Sequence, residues 1–180
     1  MIMLKTVAIS SAVFAVAFLM FVATRPDSFR LERSALIAAP PEKLFALVND
    51  FKQWPRWSPW EKLDPNMART FSGSERGVGS VYTWDSPSKA GAGRMEIKDA
   101  TADLKVSIQL NFIRPFAAQN TTEFSLQRQP DNTTQVTWVM YGPNAYIAKL
   151  MQIFASMDKM VGKDFEEGLG NLKRVAEAAS

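Results

Sequence analysis

Residues 144–178 read NAYIAKLMQIFASMDKMVGKDFEEGLGNLKRVAEA, and their apolar positions recur at gaps of three and four. Ile147, Leu150, Met151, Phe154, Met157, Val161, Phe165, Leu169, Leu172 and Val175 share one stripe, which Ala179 extends. That rhythm is helical, and the stripe is about 120° wide, enough to face a core. Lys159, Lys163, Glu166, Glu167, Lys173 and Arg174 fall on the opposite side. The spacing predicts one long amphipathic helix over 144–178. Each large stripe residue gains about 1.5–3 kcal/mol from burial before entropy is subtracted, so the upstream chain must supply a matching apolar surface.

That surface is legible as strands. Phe29, Leu31, Ala35 and Ile37 alternate with Arg30, Glu32 and Ser34, and Arg33 falls on the apolar side. Ala39-Pro40-Pro41-Glu42 stops this strand and opens a short helix to about Val48, with proline where a first turn tolerates it. A second short helix or turn follows around Phe51–Arg56. From Arg69 onward, alternating runs separated by turn residues predict an antiparallel meander. The clearest run is Leu104, Val106, Ile108, Leu110 and Phe112, alternating with Lys105, Ser107, Gln109 and Asn111. The expected order is strand, two short helices, about six strands and the long helix. One face of every strand is apolar, so the fold class is α+β, a curved one-sided sheet around a helix. One helix cannot fill the whole concave side of so wide a sheet, and the remaining space is the expected pocket.

Composition narrows the chemistry. The chain has 180 residues, 47% hydrophobic and 22% charged, with net charge +3. Residues 29–180 suffice for one domain with one core, expected to be monomeric. There is no run of basic residues, so nucleic acid is not an expected partner. Cysteine and histidine are both absent. That removes thiolate chemistry, the usual general base near neutral pH and the commonest zinc ligand, so neither metal nor cofactor is expected.

The amino-terminal segment stands apart. Thr6–Ala23 is 18 uncharged residues, about 27 Å as a helix, between Lys5 and Arg25-Pro26-Asp27. A cleaved signal peptide is the competing reading, but its apolar region runs about 7–15 residues, and Val22-Ala23-Thr24 is a poor cleavage site. The expectation is a short tail at 1–5, a single-pass transmembrane anchor at 6–24, a linker at 25–28 and the domain at 29–180. Flanking charges do not say which side of the membrane the domain occupies.

Trp54, Trp57 and Trp60 crowd the stiff stretch Trp-Pro-Arg-Trp-Ser-Pro-Trp-Glu. Three readings stand: a packed corner, an aromatic wall of an apolar cavity, or a membrane-interface contact. Asn120-Thr-Thr and Asn132-Thr-Thr match the glycosylation pattern, which matters only in a secretory pathway.

The strand followed by Ala-Pro-Pro-Glu-Lys-Leu-Phe-Ala-Leu-Val-Asn-Asp resembles the opening of SRPBCC (START-like) proteins. The tryptophan stretch and Met157-Asp-Lys-Met-Val-Gly-Lys-Asp-Phe-Glu-Glu-Gly-Leu resemble the polyketide cyclase/dehydrase branch. The resemblance covers about Phe29–Lys173 and implies a helix-grip fold with a hydrophobic cavity between sheet and C-terminal helix. It bounds function loosely, since such folds carry lipids, cyclise polyketides, activate chaperones and bind hormones. The metal ligands of the oxygenase members have no counterpart here, because histidine is missing.

Three functions follow, in order of preference. The first is a membrane-anchored binding or transport module for a lipid or other hydrophobic small molecule. The second is an enzyme resembling polyketide or aromatic cyclases. The third is a chaperone-activator-like interaction domain. The expected ligand-lining residues are Trp57, Trp60, Tyr82, Trp84, Met95, Ile97, Ile108, Leu110, Phe112, Phe124, Trp138, Met140, Phe154, Met157, Asp158 and Val161. Asp158, Arg33 and Tyr82 are the candidates for acid–base work. Asp158 lies inside the apolar stripe of the helix, where an unpaired carboxylate costs several kcal/mol. Either the helix breaks at Met157–Asp158 and Asp158 caps a new segment, or Asp158 enters the cavity and pairs with Arg33.

Overall fold

The computed structural model describes residues 2–88, 90–154 and 156–178, without the side chains of 2–5, 8 and 154. Seven strands form one antiparallel sheet: β1 (Ser28–Ile37), β2 (Ala68–Gly73), β3 (Ser80–Asp85), β4 (Ala92–Thr101), β5 (Lys105–Arg114), β6 (Ala118–Arg128) and β7 (Thr134–Pro143). Their order is β1-β7-β6-β5-β4-β3-β2, so the meander ends with its last strand beside its first. The register aligns Phe71, Tyr82, Met95, Leu110 and Asn120 as one row across β2 to β6. The next row inward joins Leu31, Met140, Thr122, Ile108 and Ile97. These residues come from the apolar side of each alternation, which the pleat turns to the concave face. Leu104, read as the start of a strand, lies in the preceding turn and is 58% exposed.

The single C-terminal helix expected over 144–178 is two helices, α3 (Tyr146–Phe154) and α4 (Met157–Glu177), numbered after α1 (Ile2–Ala23) and α2 (Pro41–Val48). Ser156 is the reason for the second start. It has extended backbone geometry, and its side chain accepts from the Lys159 N–H as an N-cap. Only the second half of the stripe meets the sheet: Phe165, Leu169, Leu172 and Ala176 are buried, and α4 packs along β1 and touches β7. The first half leaves the sheet and packs on α1. There the Tyr146 hydroxyl donates to the Leu19 carbonyl at 2.8 Å, and Lys149 pairs with Asp27 at 2.5 Å.

The tryptophan stretch forms two 3-10 helices, Phe51–Arg56 and Pro59–Lys62. Trp54 and Trp57 lie in the core, and their indole N–H groups donate to the Val48 and Leu47 carbonyls at 3.0 and 3.1 Å. Phe124 stacks on Trp138 at 4.8 Å between centroids, and Trp138 stacks on Phe165 at 4.1 Å. For these two residues the packed-corner reading holds. The side of Asn120 also closes: it is buried, so it offers no exposed acceptor for a glycan.

α1 runs 22 residues. Among the described residues no helix is long and apolar enough to cross a membrane, so the structure does not bear out the spanning helix expected over 6–24. What it shows is a helix that starts at Ile2, with described side chains unbroken over 9–23 and Phe14, Leu19, Met20 and Phe21 exposed.

Helix α4 approaches the sheet closely at Gly168, where an added Cβ would lie 2.7 Å from the Trp138 ring and 3.2 Å from Pro59. At Gly170, two residues on, a Cβ would meet nothing within 4 Å. Gly168→Ala should therefore lose about 1–3 kcal/mol of stability, through overpacking against a ring that cannot move. Gly170→Ala should gain up to about 1 kcal/mol from reduced backbone entropy of the unfolded chain. Urea denaturation of the two variants checks both signs.

Candidate functional site

The residues expected to line a cavity divide into two groups. Trp57, Phe124, Trp138, Ile97 and Ile108 are at most 1% exposed and belong to the packed aromatic and aliphatic core. Tyr82, Trp84, Met95, Leu110 and Met140 are 3–9% exposed, and Trp60, Phe112, Met157 and Val161 are partly open. Of the second group, Trp84, Met95, Leu110 and Phe112 lie toward the end of the concave face where β1, β4 and β6 begin and β3, β5 and β7 end, while Met140 shares the inner row with Ile97 and Ile108 and Trp60 packs on Trp138. Helix α4 reaches this end. Its residues Asp158 and Glu166 meet Arg33 on β1, and its Glu177 meets Ala38, so its first turn carries Met157 and Val161 toward Leu31. The side chain of Phe154 lies outside the described residues. Two hollows of about 430 and 510 Å³ lie elsewhere, one against α2 and one on the outer face of the sheet around Gln109, Thr121 and Tyr141. Between sheet and α4 the interior is closed by Trp138, Phe165 and Trp60.

Over β2 and β3, residues 58–67 form a strap that two carboxylates tie down. Glu61 has 6% of its side chain exposed. One oxygen accepts from the Tyr82 hydroxyl at 2.6 Å and the other from Arg69 Nε at 2.7 Å. Arg69 also donates to the Glu61 and Met67 carbonyls at 2.9 and 2.8 Å. Burial, and then Glu61 itself, push the Tyr82 hydroxyl well above its ordinary 10.0, so Tyr82 is a neutral donor and no base. Asp64 accepts from the Ser86 hydroxyl and the Asn66 N–H. A buried carboxylate is tolerable only when every lone pair has such partners. Spacing in the sequence does not reveal this set, because 3-10 turns have no helical or strand period. The one signal was an acid placed directly after Trp60.

Arg33 does pair with Asp158, and also with Glu166 at 2.8 Å. The three lie on a half-open flank, however, and Asp158 is 59% exposed rather than inside a cavity. Asp158, Gly162 and Glu166 follow one face of α4. A Cβ at Gly162 would come within 2.7 Å of the Arg33 guanidinium, so the glycine admits the cation between its two acids. Arg33 was legible as an odd residue in an apolar alternation, but its second partner was not. Asn120, read from the sequence only as part of a glycosylation pattern, lies on the same face of β6 as Thr122, Phe124 and Leu126. Its Oδ1 is buried beside Gly142 without a hydrogen-bond partner among the described residues.

Two outcomes follow. The Ser86 hydroxyl, first, and the Asn66 N–H hold the Asp64 carboxyl below its ordinary 3.8. A depressed folded value means its stabilisation is complete above the unfolded value of about 4 and is lost as pH falls through the folded value. Wild type and Asp64→Asn should therefore differ in urea midpoint at pH 6 and converge on acidification below about pH 4. Asp158→Asn should leave the midpoint nearly unchanged at pH 6, since the group is exposed and Glu166 keeps Arg33 paired.

Solved structures share this architecture. A Thermobifida fusca protein is 18% identical, with TM-score 0.63, covering 82% of this chain and 92% of its own. Protein SA2116 of Staphylococcus aureus, titled as of unknown function, is 13% identical with TM-score 0.62, covering 85% and 96%. Protein MLL2253 of Mesorhizobium loti is 15% identical with TM-score 0.62, covering 84% and 99%. At these identities the likeness concerns the fold. No curated protein matches the chain. A family model described as polyketide cyclase / dehydrase and lipid transport matches residues 28–177, and the chain belongs to that family, within the SRPBCC (START-like) superfamily.

Proposed function

We propose that this chain is a membrane-held binding or transport module for a lipid or other hydrophobic small molecule. The observation that carries the reading is the mismatch between sheet and helix. Helix α4 packs along β1 and touches β7, while Trp84, Met95 and Leu110 of β3, β4 and β5 line the apolar face beyond it and Phe112 there is only partly covered. The contacts on Trp84 there come from Tyr82, the Ala90 carbonyl and the edge of Phe112, all sheet or loop neighbours. An apolar face wider than its helix suits a guest that slides in beside Trp60, Met157 and Val161. The ionisable groups around it satisfy one another, Glu61 with Arg69 and Tyr82, and Arg114 with Asp85, which favours holding a ligand over transforming it. The 18 uncharged residues over 6–23 and the exposed apolar side chains of α1 support insertion of that segment in a bilayer.

The test is extraction of the full-length protein from membranes, followed by mass spectrometry of what it retains and titration with a fluorescent fatty acid. A co-purifying apolar molecule and saturable binding are expected. Trp60→Ala should weaken binding at least about tenfold, as loss of an aromatic contact implies. Trp57→Ala should instead cost about 3–5 kcal/mol of stability, because Trp57 is core. An empty protein that binds no apolar probe overturns the reading.

A further inference from the structure

We propose that the open end of the sheet lies against the bilayer surface, with the β5–β6 turn as a second membrane contact beside α1. This rests on the reading of α1 as a membrane segment, and it adds an orientation that the reading does not contain.

The junction between α1 and β1 is built, not loose. Asn144 at the start of the β7–α3 connection donates its backbone N–H to the Asp27 carbonyl at 2.7 Å and its side-chain amide to the Pro26 carbonyl at 3.1 Å. Lys149 of α3 is 8% exposed and bridges Asp27 to the Ala23 carbonyl. Tyr146 reaches a full turn further, to the Leu19 carbonyl. Residues 24–27 therefore cannot swivel freely, and wherever α1 goes, the starting end of β1 goes with it.

Antiparallel pairing then fixes what else sits at that end. Ser28 faces Pro143, and Phe112 faces Ala118, so the β5–β6 turn Arg114-Pro115-Phe116-Ala117 lies on the same edge of the sheet as the α1 junction. Two to three strand spacings separate them, roughly 10–15 Å. On this turn and its approach, Ile113 is 58% and Phe116 52% exposed, next to the Arg114 guanidinium. Arg25, at the foot of α1, lies 5.7 Å over the Phe21 ring, an arrangement of aromatic and cation suited to a headgroup layer. The turns at the opposite end carry Glu75, Arg76, Asp103 and Asp131, a net negative set, beside the exposed Val78 and Leu104. A lipid surface beside α1 covers the apolar turn and leaves the acidic end in water. The end of the sheet at Phe112 and Trp84 then faces the bilayer.

The chain lacks cysteine, so single labels are clean. Full-length Phe116→Cys and Leu104→Cys carry an environment-sensitive dye at two comparably exposed sites at opposite ends of the sheet. Each is reconstituted into vesicles of phosphatidylcholine and phosphatidylglycerol with lipids bearing a shallow nitroxide quencher. The expected result is a blue shift and several-fold stronger quenching at position 116 than at 104. Equal quenching at both sites, or none at either while the protein floats with the vesicles, overturns the orientation and leaves the anchor reading intact. Protein that does not float with the vesicles sinks the anchor reading, and the orientation with it.

Discussion

The stack of Phe165 on Trp138 on Phe124 is the contact on which the rest depends. It joins the C-terminal helix to the seventh and sixth strands through three rings, and it requires the bare backbone of Gly168 to bring the helix down. Trp57 and Trp54 continue it sideways, each with its indole N–H bonded to a carbonyl at the end of the second helix. Dispersion and burial act together here, since large rings lose the most water and their edges and faces fit in the tilted arrangements observed. The result is a core that is solid at the middle of the sheet, under α4.

That packing explains what could and could not be read beforehand. Strand identity and facing followed from alternation, because period two survives in every strand with one buried face. The helix stripe located α4 correctly, since Phe165, Leu169 and Leu172 do face the core. It also ran too far, because α3 is amphipathic for a different partner, α1. Periodicity reports that a face is apolar and not what covers it. Ser156 carried the break, but a serine inside a helical rhythm is common, and its capping role is visible only in the backbone.

Among the site residues, legibility tracked the same limit. Arg33 stood out as a polar position on an apolar face, and it sits between two acids. Asp158 stood out for the same reason but gains access to solvent from the helix break. The Glu61, Arg69 and Tyr82 set was invisible because its members meet through a strap of 3-10 turns, where neither spacing nor hydropathy has a rule to apply. These buried charges hold the strap on the edge strands, so that region is fastened by polar bonds, whereas α4 is joined to the sheet by aromatic packing.

The pairing of the first strand with the last has a consequence for how the chain comes to be folded. Ile37 lies opposite Thr134 and Ser28 opposite Pro143. During synthesis at about 5–20 residues per second, β1 waits on the order of 5–20 s for its only strand partner. Loop closure across so long a separation is entropically mild but slow to search, so this ladder forms late. Through that interval β1 is an unpaired edge. Its outward residues Arg30, Glu32 and Ser34, with Arg33 among the apolar ones, keep it polar enough to resist pairing with strangers. The same charges that look decorative in the finished sheet guard the nascent one.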